Sequence, residues 1–127
     1  QLAWWSLAWG VEGAGWVRAG SKGRVVPPKQ RAEWMALVSI RTGEPIADVT
    51  ADDPRGFSLG LGKAVLGSFG AHWFYQGETL GYRTLYVWFE KEELMITLQT
   101  NSQPAAEADK LHDLVGVIYD IVRGDAK

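Results

Sequence analysis

The period of the apolar positions changes near residue 57. Before it, residues 4–19 carry apolar side chains at mixed spacing, interrupted by Gly10, Gly13 and Gly15. That pattern predicts a broken helix whose last turn is Gly15-Trp16-Val17-Arg18-Ala19, stopped by Gly20. Ser21-Lys22-Gly23-Arg24 reads as a turn. Pro27-Pro28 then opens a helix over 29–40, because proline suits a first turn whose N–H groups have no partner. Ala32, Met35, Ala36 and Val38 supply its stripe, and Gly43 and Pro45 end it. Residues 44–56, with Pro45, Asp52-Asp53-Pro54 and Gly56, read as a loop.

From Phe57 the alternation becomes two-fold. Phe57, Leu59 and Leu61 alternate with Ser58 and Gly60, and the aromatic and β-branched runs 72–75 and 82–89 predict further strands. Glu90-Lys91-Glu92-Glu93 is a polar, solvated hairpin turn, and 94–100 is the returning strand. A final helix over 104–123 is expected, capped by Asn101-Ser102, with Pro104 in its first turn and Gly124 after its end. Its apolar face runs through Ala108, Leu111, Leu114, Val115, Ile118, Ile121 and Val122, and must cover one side of the sheet. The layout is therefore α+β. An antiparallel meander of three to four strands is packed by the C-terminal helix and by N-terminal helices. One domain spans 1–127, helical and looped over 1–56, with the sheet and last helix over 57–127.

Composition narrows the function. A net charge of −2 argues against a nucleic-acid or anionic-membrane partner. With no cysteine, thiolate metal sites and disulfides are excluded. No apolar run reaches the roughly 20 residues of a spanning helix. The chain starts Gln1-Leu2-Ala3 rather than with Met, as a processed or excised product would. Seven tryptophans are the one oddity; they read first as large core residues and second as an aromatic platform for a sugar or peptide. His72, in phase with Phe74, reads as a core histidine, and His112 as a surface residue. Two histidines forty positions apart make no metal site, and no cofactor is expected.

One segment carries a more specific signal. Tyr75-Gln76-Gly77-Glu78-Thr79-Leu80-Gly81-Tyr82 resembles the third active-site motif of penicillin-binding proteins and serine β-lactamase-like hydrolases. There a strand bears Lys-Thr-Gly, or His-x-Gly followed by Gly-Thr-Pro-Gly-aromatic. Tyr75 stands in the His or Lys position, Gly77 matches the motif glycine, and Thr79, Gly81 and Tyr82 match the downstream residues. Leu80 replaces the proline. Gly56-Phe57-Ser58-Leu59-Gly60-Leu61-Gly62 is similar to the phrase that precedes the motif strand. The stretch 94–102, ending Thr100-Asn101-Ser102, is similar to the strand that follows it.

The resemblance implies part of a β-lactamase/transpeptidase-like fold, in which a ligand pairs with the motif strand as an added strand. It also implies that a backbone N–H beside the motif stabilises the oxyanion. Glycine at 77 keeps a Cβ out of the approach, and Tyr75 can hydrogen-bond substrate or relay a proton. With Tyr75 in place of a cation, Arg83 is the candidate to hold a substrate carboxylate. Arg41-Thr42-Gly43 imitates Lys-Thr-Gly but falls at a predicted helix end, where glycine is a cap.

The nucleophile motif Ser-x-x-Lys is absent, since none of the six serines has Lys three positions on, and Tyr-x-Asn or Ser-x-Asn is absent too. No catalytic residue is therefore expected in this chain. The resemblance implies that the nucleophile lies upstream in the same polypeptide, that the ligand is a peptidoglycan peptide, β-lactam or ester, and that the setting is the periplasm or cell envelope. The competing reading is a non-catalytic envelope-binding module. An excised part would expose apolar surface and self-associate.

Overall fold

The computed structural model describes residues 14–15, 18–20, 22–65, 70–79, 81–102 and 110–124. The first predicted helix falls largely outside them, as do Trp4, Trp5, Trp9, Trp16, Leu80 and Pro104; positions 14–15 and 18–20 are helical. Helix α1 is Pro28–Trp34. Seven strands follow: β1 Leu37–Ser39, β2 Pro45–Ile46, β3 Arg55–Phe57, β4 Gly62–Val65, β5 Ala71–Thr79, β6 Tyr82–Phe89 and β7 Leu94–Thr100. Helix α2, Leu111–Arg123, closes the chain. The strands form one open sheet in the order β2-β1-β3-β4-β5-β6-β7, with every neighbouring pair antiparallel. The α+β class stands, with more strands than the alternation alone predicted.

The largest departure is at 35–46. The helix expected to run to Ile40 stops at Trp34, and Leu37–Ser39 is a strand. Leu37 and Ser39 are buried while Val38 and Ile40 are exposed, a period of two. The Ser39 hydroxyl accepts the N–H groups of Arg41 and Thr42, both at 3.2 Å. This local side-chain bond competes with the helix for the same backbone and folds it into a turn. Gly43, with φ 75°, completes a β1–β2 hairpin instead of capping a helix, so the Arg41-Thr42-Gly43 segment is a hairpin tip. The expected loop 44–56 accordingly contains β2 and β3.

The predicted strand 57–61 is also corrected. Phe57 ends β3, Ser58 to Leu61 turn back, and Gly62 opens β4. Gly60 takes φ 92°, the Ser58 N–H bonds the Leu61 carbonyl at 2.8 Å, and Trp34 Nε1 donates to the Leu59 carbonyl at 2.8 Å. Leu59 is thereby left at the tip, 71% exposed. The alternation covers the end of one strand and the turn after it, where a left-handed glycine reverses the chain.

Two apolar clusters lie on the two faces. On one, Leu85, Val87, Phe89 and Ile96 meet Leu111, Val115 and Tyr119 of α2. On the other, Trp73 and Trp88 meet Leu37 and Leu61, with Trp34 and Met35 packed against them. Trp73 and Trp88 are thus core residues, as the first reading of the tryptophans has it. Helix α2 starts at Leu111 behind Lys110, so Asn101 and Ser102 do not cap it; Gly124, left-handed at φ 76°, ends it as expected. Among the described residues no helix is long and apolar enough to cross a membrane. The hairpin tip at 90–93 is tied down more than its charge suggests. Glu92 accepts from the Tyr119 hydroxyl at 3.2 Å and from Arg123 at 3.3 Å, and Glu93 pairs with Lys22.

His72 is buried under α2, its ring 5.5 Å from Phe89, with Nδ1 3.1 Å from the Gly70 carbonyl. Burial first, and the nearby His112 second, hold its pKa below the ordinary 6.5 against that hydrogen bond. Below pH 6.5 the unfolded chain takes up a proton that the folded chain resists, so folding stability falls as pH drops from 6.5 toward the depressed folded value. Urea midpoints measured across that window should decline, and His72→Gln should flatten the decline. Leu85→Ala, at a fully buried position of the central strand, should cost about 2–5 kcal/mol by the same assay.

Candidate functional site

The resemblance residues lie on β5, on the β5–β6 turn and at the start of β6. Residues on β5 alternate between the two faces of the sheet. Tyr75 and Gly77 share the Trp73 face, opposite Tyr86 and Thr84 of β6; Gln76 points to the α2 face, opposite Leu85. Thr79 pairs with Tyr82 across the turn, and Gly81 holds φ 86°, a conformation that only glycine adopts without strain. The motif residues therefore form one hairpin end.

Arg83 does not join them. It lies opposite Glu78 on the α2 face, with its side chain 7% exposed and Nε 3.6 Å from Glu78 Oε2. A ligand lying against Tyr75 would be separated from Arg83 by the sheet, so the role of carboxylate holder beside Tyr75 is withdrawn from it. A cation that does stand on Tyr75's face is Lys63, which sequence reasoning missed. It sits opposite Trp73 in the β4–β5 pairing, its ammonium 5.0 Å from the Trp73 ring centre and 2.7 Å from Asp48 Oδ1. Partial burial pushes the Asp48 carboxyl up, but the hydrogen bonds from Lys63 and the Val49 N–H outweigh it and hold it below the ordinary 3.8. Asp48 lies in the segment read as a loop and Lys63 in one given no element, which left no spacing signal.

The backbone around Gly77 is distinctive. Pairing between β4 and β5 ends at Gly62 opposite Phe74, whereas pairing between β5 and β6 continues to Thr79. Tyr75 to Thr79 therefore form an edge on the β4 side, with no strand beside them among the described residues. Tyr75, 43% exposed, lies along this edge with its ring over Gly77. Beneath it, Tyr75, Tyr86, Trp73, Trp88, Leu61 and Met95 line an apolar dimple of about 10 Å³, too small for more than a single water. Burial, reinforced by Tyr75, raises the Tyr86 phenol above its ordinary 10.0 against a hydrogen bond with Gln99, so Tyr86 is neutral at physiological pH.

The glycines nearby separate into two kinds. At Gly62 a Cβ would stand 2.4 Å from the Phe74 ring, so packing requires glycine. At Gly77 the nearest atom is Tyr75 Cε1 at 3.6 Å, an ordinary contact, and no positive φ is recorded. Neither sterics nor dihedral angles call for glycine at 77, and a glycine inside a strand weakens it. What the arrangement offers chemically is an open strand edge, an uncovered stretch of backbone and a phenol hydroxyl. The two serines buried among the described residues are committed elsewhere, Ser39 to its turn and Ser58 to the Leu61 carbonyl.

Neither a family model, nor a curated protein, nor a solved structure matches the chain.

Gly77→Ala should leave the urea midpoint within about 0.5 kcal/mol of wild type, whereas Gly62→Ala should lose about 1–3 kcal/mol through the clash with Phe74.

Proposed function

We propose that this chain is the C-terminal region of a penicillin-binding-protein or serine β-lactamase-like hydrolase. In that reading it contributes the third-motif strand, 75–81, to acyl transfer on a peptidoglycan peptide, a β-lactam or an ester, and the upstream part of the same polypeptide contributes the nucleophile. The observation that carries it is Gly77: a glycine that the fold does not need, on a strand that loses its neighbour one residue before Tyr75. A backbone that must be approached closely accounts for both features. On this reading the open edge receives the extended ligand as an added strand, and the Tyr75 hydroxyl is available to the ligand as donor or acceptor. Gly81 sets the turn that brings Thr79 and Tyr82 together. With no Ser-x-x-Lys in the chain, it does not form an acyl-enzyme by itself. The setting that goes with this activity is the periplasm or cell envelope.

The test is covalent labelling with a fluorescent penicillin, on this chain and on a longer polypeptide that includes the sequence upstream. Labelling of the longer polypeptide alone is expected, and Gly77→Ala should slow it at least about ten-fold while leaving stability unchanged. If the longer polypeptide fails to label and fails to turn over ester substrates, the hydrolase reading is lost. Tyr75 and Tyr82, 43% and 37% exposed, would then favour a non-catalytic binding module. Labelling of the 127-residue chain itself would place a nucleophile where this reading has none.

A further inference from the structure

The far edge of the sheet, remote from Tyr75, carries a second incomplete surface. Among the described residues β7 pairs only with β6 and ends the sheet. Its sequence, Leu94 to Thr100, contains no charged residue and no proline, the usual devices that keep an edge strand from pairing. Helix α2 lies on one face of this edge and is apolar on two sides. Leu111, Val115 and Tyr119 are buried, while Leu114, Val117 and Ile121 stand 47%, 54% and 60% exposed. Those three share one flank of the helix, spaced three and four residues apart. His112 lies on the opposite flank, on the side of Tyr119, whose ring is 4.5 Å from Phe89, itself 5.5 Å from His72 of β5. The polar flank therefore faces β5, and the apolar flank projects toward β7's open edge. Strand edge and helix flank form one continuous strip.

We infer that a second copy of this chain covers the strip, by antiparallel pairing of β7 with β7 across a two-fold axis through Thr97. The register follows from the residues. In β6–β7 the closing pair Phe89–Leu94 and every second pair after it exchange hydrogen bonds, so Met95, Thr97 and Gln99 direct their backbone groups outward. Pairing Thr97 with Thr97 sets Met95 against Gln99 and Ile96 against Leu98, keeping apolar residues on the α2 face in both copies. It also brings Glu93 opposite the uncharged Asn101, so no like charges meet. The same axis sets the Leu114–Val117–Ile121 flanks of the two helices side by side.

The strip is about 24 Å long and roughly 20 Å across, from a seven-residue strand and the helix above it. Two copies then bury on the order of 1,000 Å², the lower limit for a specific interface, as expected of a reversible dimer.

Sedimentation velocity across a concentration series should show a monomer–dimer equilibrium. Val117→Glu, at an exposed position, should weaken it at least ten-fold with the urea midpoint unchanged. Because the chain has no cysteine, Thr97→Cys reports on the register: it should form a disulfide-linked dimer under mild oxidation, while Thr42→Cys, on the distant β1–β2 turn, should not. A monomer at millimolar concentration would overturn the inference. So would a dimer insensitive to Val117→Glu whose Thr97→Cys variant does not cross-link. A loss of penicillin labelling in the longer polypeptide bears on the hydrolase reading alone and leaves this equilibrium untouched.

Discussion

Strand β6 is buried on both faces from Leu85 to Phe89, and the rest of the structure is arranged by which of its faces each element covers. Leu85, Val87 and Phe89 point to one side and receive α2; Tyr86 and Trp88 point to the other and meet Trp73 and the elements around Trp34. Five consecutive buried side chains cannot be satisfied by a helix on one side alone. The strand therefore demands two covering layers, and the chain supplies one from each end.

This constraint also explains where the candidate site falls. β5 and β6 extend beyond the end of β4, so the last five residues of β5 leave the two-sided core and become an edge. Tyr75 and Gly77 sit at that transition. A rigid, doubly packed strand on one side and an open backbone on the other is a sound support for a ligand, because the edge is held in geometry by a partner that does not move with it. Lys63 of β4 stands on the same face, buried, and its ammonium is paired with the exposed carboxylate of Asp48.

The two sheet edges differ in chemistry. Tyr75 to Thr79 offer a short, glycine-containing edge beside exposed polar residues, suited to a small extended ligand. β7 offers an uncharged edge beneath an apolar helix flank, suited to another strand and helix.

The local pattern in the sequence was enough to determine the β5–β6–β7 meander, the buried histidine, the core tryptophans 73 and 88 and the glycine that ends α2. Each rests on a period or a turn residue within a few positions. Only the tertiary structure decided the rest. Leu37 to Ser39 became a strand because β3 and β2 were there to pair with it and the Ser39 hydroxyl took the turn's N–H groups. Phe57 closed β3 while Leu59 and Leu61 went into the turn before β4, because Gly60 could turn left-handed and Trp34 held the turn. Arg83 went to the far face because register with Glu78 is a cross-strand property. The open edge beyond Phe74 depends on where β4 ends, and a strand's end is set by its neighbour's pairing, which no window of local sequence contains.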